Sequence, residues 1–142
     1  GLLVQDEDTV VLDWETCRTV TREQVSDDQI EDLIFAMKVV KHTKSNAIVL
    51  AKDKQTVGIG PGQPNRITSV EIAVRRSDGK AEGSVMASDA FFPFDDCVRA
   101  AAQAGVRAVI HPGGSIRDQE SIDACDELGL AMVFTGIRHF RH

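Results

Sequence analysis

The sequence predicts an α/β fold, a three-layer α/β/α sandwich, and three observations predict it. Between residues 84 and 134, short apolar runs of strand length alternate with helical patterns. Gly105 and Gly129 stand just past two of those helices, where a C-terminal stop is expected. The strand runs are mostly apolar instead of alternating, as strands covered on both faces must be.

Residues 1–25 carry two short β-like runs, 2–5 and 9–12, then a polar stretch with no helical period. They read as a lead-in segment, and residues 26–142 as the α/β unit. From Ser26 onward Ile30, Leu33, Ile34, Met37 and Val40 recur at helical spacing, with Ser26 or Asp27 as the N-cap and acids in the first turn. Residues 46–51 form an apolar run, Asp53 and Lys54 a turn, and residues 56–60 a second run, which together predict a hairpin. Gly60, Pro61, Gly62 and Pro64 break structure, and Asn65 caps a helix that turns Ile67, Val70, Ala73 and Val74 inward. After a turn at 77–83 come a strand at 84–87, a helix at 95–104, a strand at 106–110, a helix at 117–128 and a strand at 130–134. Short connections between them imply right-handed crossovers and mostly parallel pairing.

Composition narrows the partners. A net charge of −6 argues against nucleic acid, which favours a broadly basic surface. The 42% hydrophobic and 27% charged content fits one soluble globular domain. No apolar stretch approaches the ~20 residues of a membrane helix, and no secretory leader is visible. Cys17, Cys97 and Cys125 are too few and too scattered for a disulfide framework, so a reducing cytoplasm is expected. None forms a C-x-x-C pair with an upstream His-x-Glu, so no zinc site of the nucleobase-deaminase kind is expected. The chain opens at Gly1 without Met, which suggests a trimmed chain or a piece of a longer one.

The chemistry-bearing loops lie just beyond strand ends, where open α/β sheets bind ligands. His111-Pro112-Gly113-Gly114-Ser115 either cradles an anion on backbone N–H groups or is a tight turn with Ser115 as a cap, two readings of equal weight. Phe91, Phe92 and Phe94 flank Pro93 in a chain with only 5% aromatic residues. One or two of these rings belong to the core, while a proline-fixed loop also suits stacking on a flat heterocycle. Asp95 and Asp96 open the following helix, and Asp96 is favoured to accept N–H groups from a ring edge. The Lys41-His42 pair, near a helix end, is expected to be plain surface. Arg138, His139, Arg141 and His142 form a basic tail in an acidic chain.

Five segments carry a family resemblance: 44–48 (Lys-Ser-Asn-Ala-Ile), 58–66 (Gly-Ile-Gly-Pro-Gly-Gln-Pro-Asn-Arg), 87–94 (Ala-Ser-Asp-Ala-Phe-Phe-Pro-Phe), 112–118 (Pro-Gly-Gly-Ser-Ile-Arg-Asp) and 138–142 (Arg-His-Phe-Arg-His). In this order, the chain resembles the C-terminal end of the AICAR formyltransferase part of the bifunctional purine-biosynthesis enzymes that also carry IMP cyclohydrolase. The resemblance implies a cytidine-deaminase-like fold without zinc and formyl transfer from 10-formyltetrahydrofolate to AICAR. It implies that Asn46, Arg66, Phe91 and Arg138 contact the nucleotide, with Asn46 also catalytic through the developing oxyanion. Ile67, Asp96, Ser115 and Ile116 would face the folate. A monovalent cation near the strand ends is left open, and no other metal is implied. Asp95 departs from the basic or neutral residue usual in the family. The family's catalytic Lys-His pair belongs to an earlier segment, so the resemblance implies a homodimer of longer chains or a partner supplying that transformylase segment in cis or trans. The alternative is a non-catalytic module that binds nucleotide or folate.

Overall fold

Ser26 opens the first long helix as the sequence predicts. Its hydroxyl accepts the N–H of Gln29 while the Gln29 side chain accepts the Ser26 N–H, a reciprocal capping box. In the computed structural model, which describes residues 12–136, this helix is α1 (Asp27–Val40). It follows a single 3-10 turn (Trp14–Thr16) and a two-residue strand β1 (Arg18–Thr19). The elements after it are β2 (Ile48–Lys52), β3 (Gln55–Gly60), α2 (Arg66–Arg76), β4 (Val85–Ser88), α3 (Asp96–Gln103), β5 (Ala108–His111), α4 (Asp118–Leu128) and β6 (Ala131–Phe134). The predicted run at 2–5 and most of that at 9–12 lie outside the described residues, and Leu12 is not in a strand.

The sheet has six strands in the order β1-β6-β5-β4-β2-β3 among the described residues. β4, β5 and β6 are parallel, as the alternating strand–helix pattern implies. β2 runs antiparallel to β3, as the predicted hairpin requires, and also to β4, and β1 runs antiparallel to β6, so the whole sheet is mixed. The tight turn at Asp53-Lys54 is the cause on one side: both residues have positive φ, 53° and 57°, and fold β3 back along β2. On the other side, the polar stretch before Val25 supplies an edge strand that carries no sequence signal.

Alternation along each strand explains the apolar runs. Ile48, Leu50, Met86, Val109, Met132 and Phe134 point into one core cluster, beneath α2, α3 and α4. Val49, Ala51, Val85, Ala87, Ala108, Ile110, Ala131 and Val133 point into the other, beneath α1. The α1 side is rich in alanine, so one helix lies close against it. The three-layer sandwich therefore follows from side-chain size as well as from pattern.

Strand direction decides where the loops meet. β4 and β5 end where β2 begins and β3 ends, since Ile48 is in register with both Gly60 and Ser88, and His111 with Phe134. Segments 44–48, 58–66, 87–94 and 112–118, together with Thr135 and Gly136, consequently share one end of the sheet.

Candidate functional site

The glycines of Gly58-Ile59-Gly60 bring β3 against α2, the helix that begins with Arg66. A Cβ on Gly60 would lie 1.9 Å from the Ser69 carbonyl oxygen, and one on Gly58 would lie 2.1 Å from that of Ala73. Bare backbone is required here, so these glycines set a helix-to-strand distance and do not form a ligand loop. Asn65 caps the helix by accepting the Thr68 N–H at 3.0 Å.

Arg66, at the first position of α2, points inward and is buried. Its Nη1 donates to a carboxylate oxygen of Asp89 and to the Ala47 carbonyl at 3.3 Å. Its Nη2 donates to Asn46 Oδ1 at 2.8 Å, while Nε is buried without a partner. Asp89 has no exposed surface and also accepts from Ser45 Oγ at 2.6 Å and the Ala47 N–H at 3.2 Å. Sequence reasoning missed Asp89. The available signal is an acid directly after the apolar strand Val85–Ser88, where a buried carboxylate needs a cation and several donors.

Asn46 is held from several directions. Its N–H donates to the Gln63 carbonyl at 3.2 Å, its carbonyl accepts from Ser69 Oγ at 2.7 Å, and its Nδ2 donates to the Pro64 carbonyl at 3.1 Å. Asn46, Arg66 and Phe91 line one recess of about 270 Å³, together with Pro64, Asn65 and Pro93. A neighbouring recess of about 340 Å³ shares Asn46 and Pro64 with it and adds Ser45, Gly62 and Gln63. Three of the four residues expected to contact a nucleotide thus share a concave surface. Arg138, the fourth, lies outside the described residues.

The three phenylalanines separate. Phe92 is fully buried and packs at 4.6 Å from the His111 ring, so it belongs to the core. Phe91 is half-buried in the recess wall, and Phe94 is 50% exposed with the Arg117 guanidinium 5.1 Å above its ring. That stacking brings the loop after β4 against the loop after β5. Asp96 is exposed at the head of α3, where its Oδ1 accepts the Cys97 N–H at 2.8 Å. Ile116 is completely exposed, and Ile67 and Ser115 are half-buried. Asp95 engages Arg99 at 2.9 Å.

The glycine-rich loop is a tight turn and not an open anion cradle. Gly113 N–H donates to His111 Nδ1 at 3.0 Å, Gly114 N–H to Asp118 Oδ2 at 2.8 Å and Ser115 N–H to Asp118 Oδ1 at 3.1 Å. Ser115 Oγ accepts the Arg117 N–H at 3.0 Å within the turn, so the expected helix cap is not made by this side chain: Arg117 is the N-cap of α4, with no side-chain cap bond. A carboxylate of the chain itself occupies the site that the two glycines create. Gly113 is required for a further reason, since its φ is +74° and a Cβ there would lie 2.8 Å from the Phe134 ring.

His111 receives the Gly113 N–H on Nδ1, so its proton sits on Nε2, which faces Met132 Sδ at 3.3 Å. Burial, followed by the nearby Arg66 cation, lowers its pKa from 6.5 to about 3. It is a neutral core imidazole at ordinary pH. The Cys97 and Cys125 thiols are raised by burial, with Asp96 and Asp126 adding to the effect, so neither is a ready nucleophile. His42 is exposed just beyond α1. Among the described residues no group of three or more His, Cys, Asp or Glu side chains is placed to hold a metal ion, and no helix is long and apolar enough to cross a membrane.

The model of the AICARFT/IMPCHase bienzyme family matches residues 1–76. The chain belongs to that family. Over all 142 residues it is 61% identical to the bifunctional purine biosynthesis protein PurH of Acetivibrio thermocellus and covers 28% of that protein. Against PurH of Anoxybacillus flavithermus the identity is 57%, with the same coverage. The chain thus spans little more than a quarter of the length of these curated AICARFT/IMPCHase relatives. Among solved structures, dCMP deaminase from the cyanophage S-TIM5 superposes with a TM-score of 0.53 at 16% identity, covering 76% of this chain and 98% of that one. Acinetobacter baumannii RibD gives a TM-score of 0.50 at 17% identity, covering 76% and 35%. At such identities the likeness concerns fold alone, and it establishes the deaminase-like architecture for this member of the bienzyme family.

Proposed function

We propose that this chain is the C-terminal part of the AICAR formyltransferase of a bifunctional purine-biosynthesis enzyme. The observation that carries the proposal is the recess in which Asn46, Arg66 and Phe91 meet. A half-buried ring beside a guanidinium and an amide suits a flat, polar heterocycle. Arg138 would hold the nucleotide phosphate. Ile67, Asp96, Ser115 and Ile116 would face the folate, and the exposed Ile116 and Phe94 offer apolar contact for a pterin ring.

In the reaction the amino nitrogen of AICAR attacks the formyl carbon of 10-formyltetrahydrofolate. The carbonyl electrons move onto oxygen, an N–H donor such as the Asn46 amide steadies the resulting oxyanion, and collapse breaks the carbon–N10 bond. The amino proton leaves the attacking nitrogen and N10 gains one, giving formyl-AICAR and tetrahydrofolate. The groups that move these protons would come from the remaining transformylase segment, in cis or in a homodimer of longer chains. A cytoplasmic site of action fits this chemistry.

The test is formyl transfer to AICAR by the chain alone and after reconstitution with the rest of the transformylase portion that its longer relatives carry. Turnover only in the reconstituted protein, lost in Asn46→Ala, is expected. Normal turnover by the chain alone removes the need for a second segment. Nucleotide binding without turnover in the reconstituted protein replaces catalysis with a binding module.

A further inference from the structure

We infer that Asp89 is a positioning residue, which through Arg66 fixes the Asn46 amide with its oxygen toward the guanidinium, so that the second amide N–H can donate into the recess. The inference rests on the formyl-transfer proposal only for its kinetic readout; its geometry stands on hydrogen bonding alone.

An arginine guanidinium has no acceptor, so the group that meets Arg66 Nη2 at 2.8 Å must be the Asn46 oxygen. A peptide carbonyl has no donor, so the group that meets the Pro64 oxygen at 3.1 Å must be the Asn46 nitrogen. The two contacts agree, and the amide is locked in one orientation. Its oxygen is engaged by Arg66 and one amide hydrogen by Pro64. The second amide hydrogen is what Asn46 can offer to a ligand, and Asn46 lines both recesses. The site therefore selects an acceptor oxygen at that position.

Arg66 stays in place because Asp89 holds it. Asp89 is fully buried and receives Ser45 Oγ, the Ala47 N–H and Arg66 Nη1, so the carboxylate cannot turn without losing several donors. Ser45 and Ala47 flank Asn46, so the same carboxylate also fixes the backbone on either side of it. A buried ion pair returns little net stability compared with apolar side chains of similar volume. Its evident product here is orientation. The unpartnered Nε fits that view, because the guanidinium is anchored through its η nitrogens at the expense of full satisfaction.

The experiment uses the reconstituted protein and compares wild type, Asp89→Asn, Asn46→Ala and the double variant. Asp89→Asn is expected to lower kcat by about 100-fold, the scale of an ångström-level misplacement, while KM for the folate changes little. In the Asn46→Ala background the same substitution is expected to cost less than about threefold, since the group it positions is gone. Equal losses in both backgrounds, or a normal kcat in Asp89→Asn, would overturn the inference. If the wild type transfers no formyl group, the proposed function fails, and the inference is read instead from a crystal structure of Asp89→Asn. Loss of the Arg66–Asn46 contact there supports it, and an unchanged contact refutes it. Should Asp89→Asn fail to fold, Ser45→Ala removes one of the carboxylate's donors, and the same kinetic and structural outcomes apply to it with a smaller expected loss.

Discussion

His111 links a residue's surroundings to the stability of the molecule. Its folded pKa is lowered to about 3, below the 6.5 expected when unfolded, so between these values the unfolded chain binds the additional proton. Stability from this source is complete above pH 6.5 and falls as pH drops toward 3. One proton corresponds to about 1.4 kcal/mol per pH unit in that window. Urea unfolding measured across it should lose that increment of slope in His111→Gln, relative to wild type. An unchanged slope would mean that the imidazole is not kept neutral by its burial. The same residue shows a limit of sequence reading, because a histidine at the start of a Gly-Gly loop looks like a ligand group. Only the packing of Phe92, Phe134 and Met132 around it reveals a core residue.

At the scale of elements, the pairing of β3 with α2 is the most demanding contact. Gly60→Ala would drive a methyl group into the Ser69 carbonyl, and Gly58→Ala into that of Ala73. Each should destabilise the protein by about 1–3 kcal/mol or more, as overpacking does, and Gly60→Ala should also shift the start of α2. Thermal unfolding and formyl-transfer assays would show both effects, whereas an unchanged melting temperature would rule out the close approach. Helices and strands were legible because capping and periodicity act locally: Ser26, Asn65, Gly105 and Gly129 mark their ends in the sequence itself. β1 was not legible, since Arg18 and Thr19 pair with β6 through backbone groups that any residue carries. The candidate site was legible in part. Asn46, Arg66 and Phe91 belong to segments with visible motifs, whereas for Asp89 the acid after an apolar strand is visible but its partner Arg66, 23 residues away, is not. The glycine-rich loop misled in one of its two readings because spacing cannot tell whether an N–H group is already engaged.

For the molecule as a whole, the lead-in segment is tied to the sheet. Besides the β1 pairing, Thr21 Oγ1 accepts the Met132 N–H at 3.0 Å and the Arg22 N–H donates to Asp126 at 2.9 Å. We propose that residues 18–22, within a segment that reads as a preamble to the α/β unit, protect its outer strand. Deleting them would leave β6 as an open edge, with its backbone groups ready to pair with another chain. Light scattering should show more self-association for the truncated protein than for the full chain, and no difference between them would argue against this role.

The Asp118 carboxylate, which opens α4 and closes on the loop after β5, has a consequence for how any charged ligand must approach. A tethered anion competes with every free one at an effective concentration that dilute metabolites do not reach. A phosphoryl group arriving at this rim would find that berth taken and guarded by like charge. Its counter-charge has to come from a different quarter of the protein.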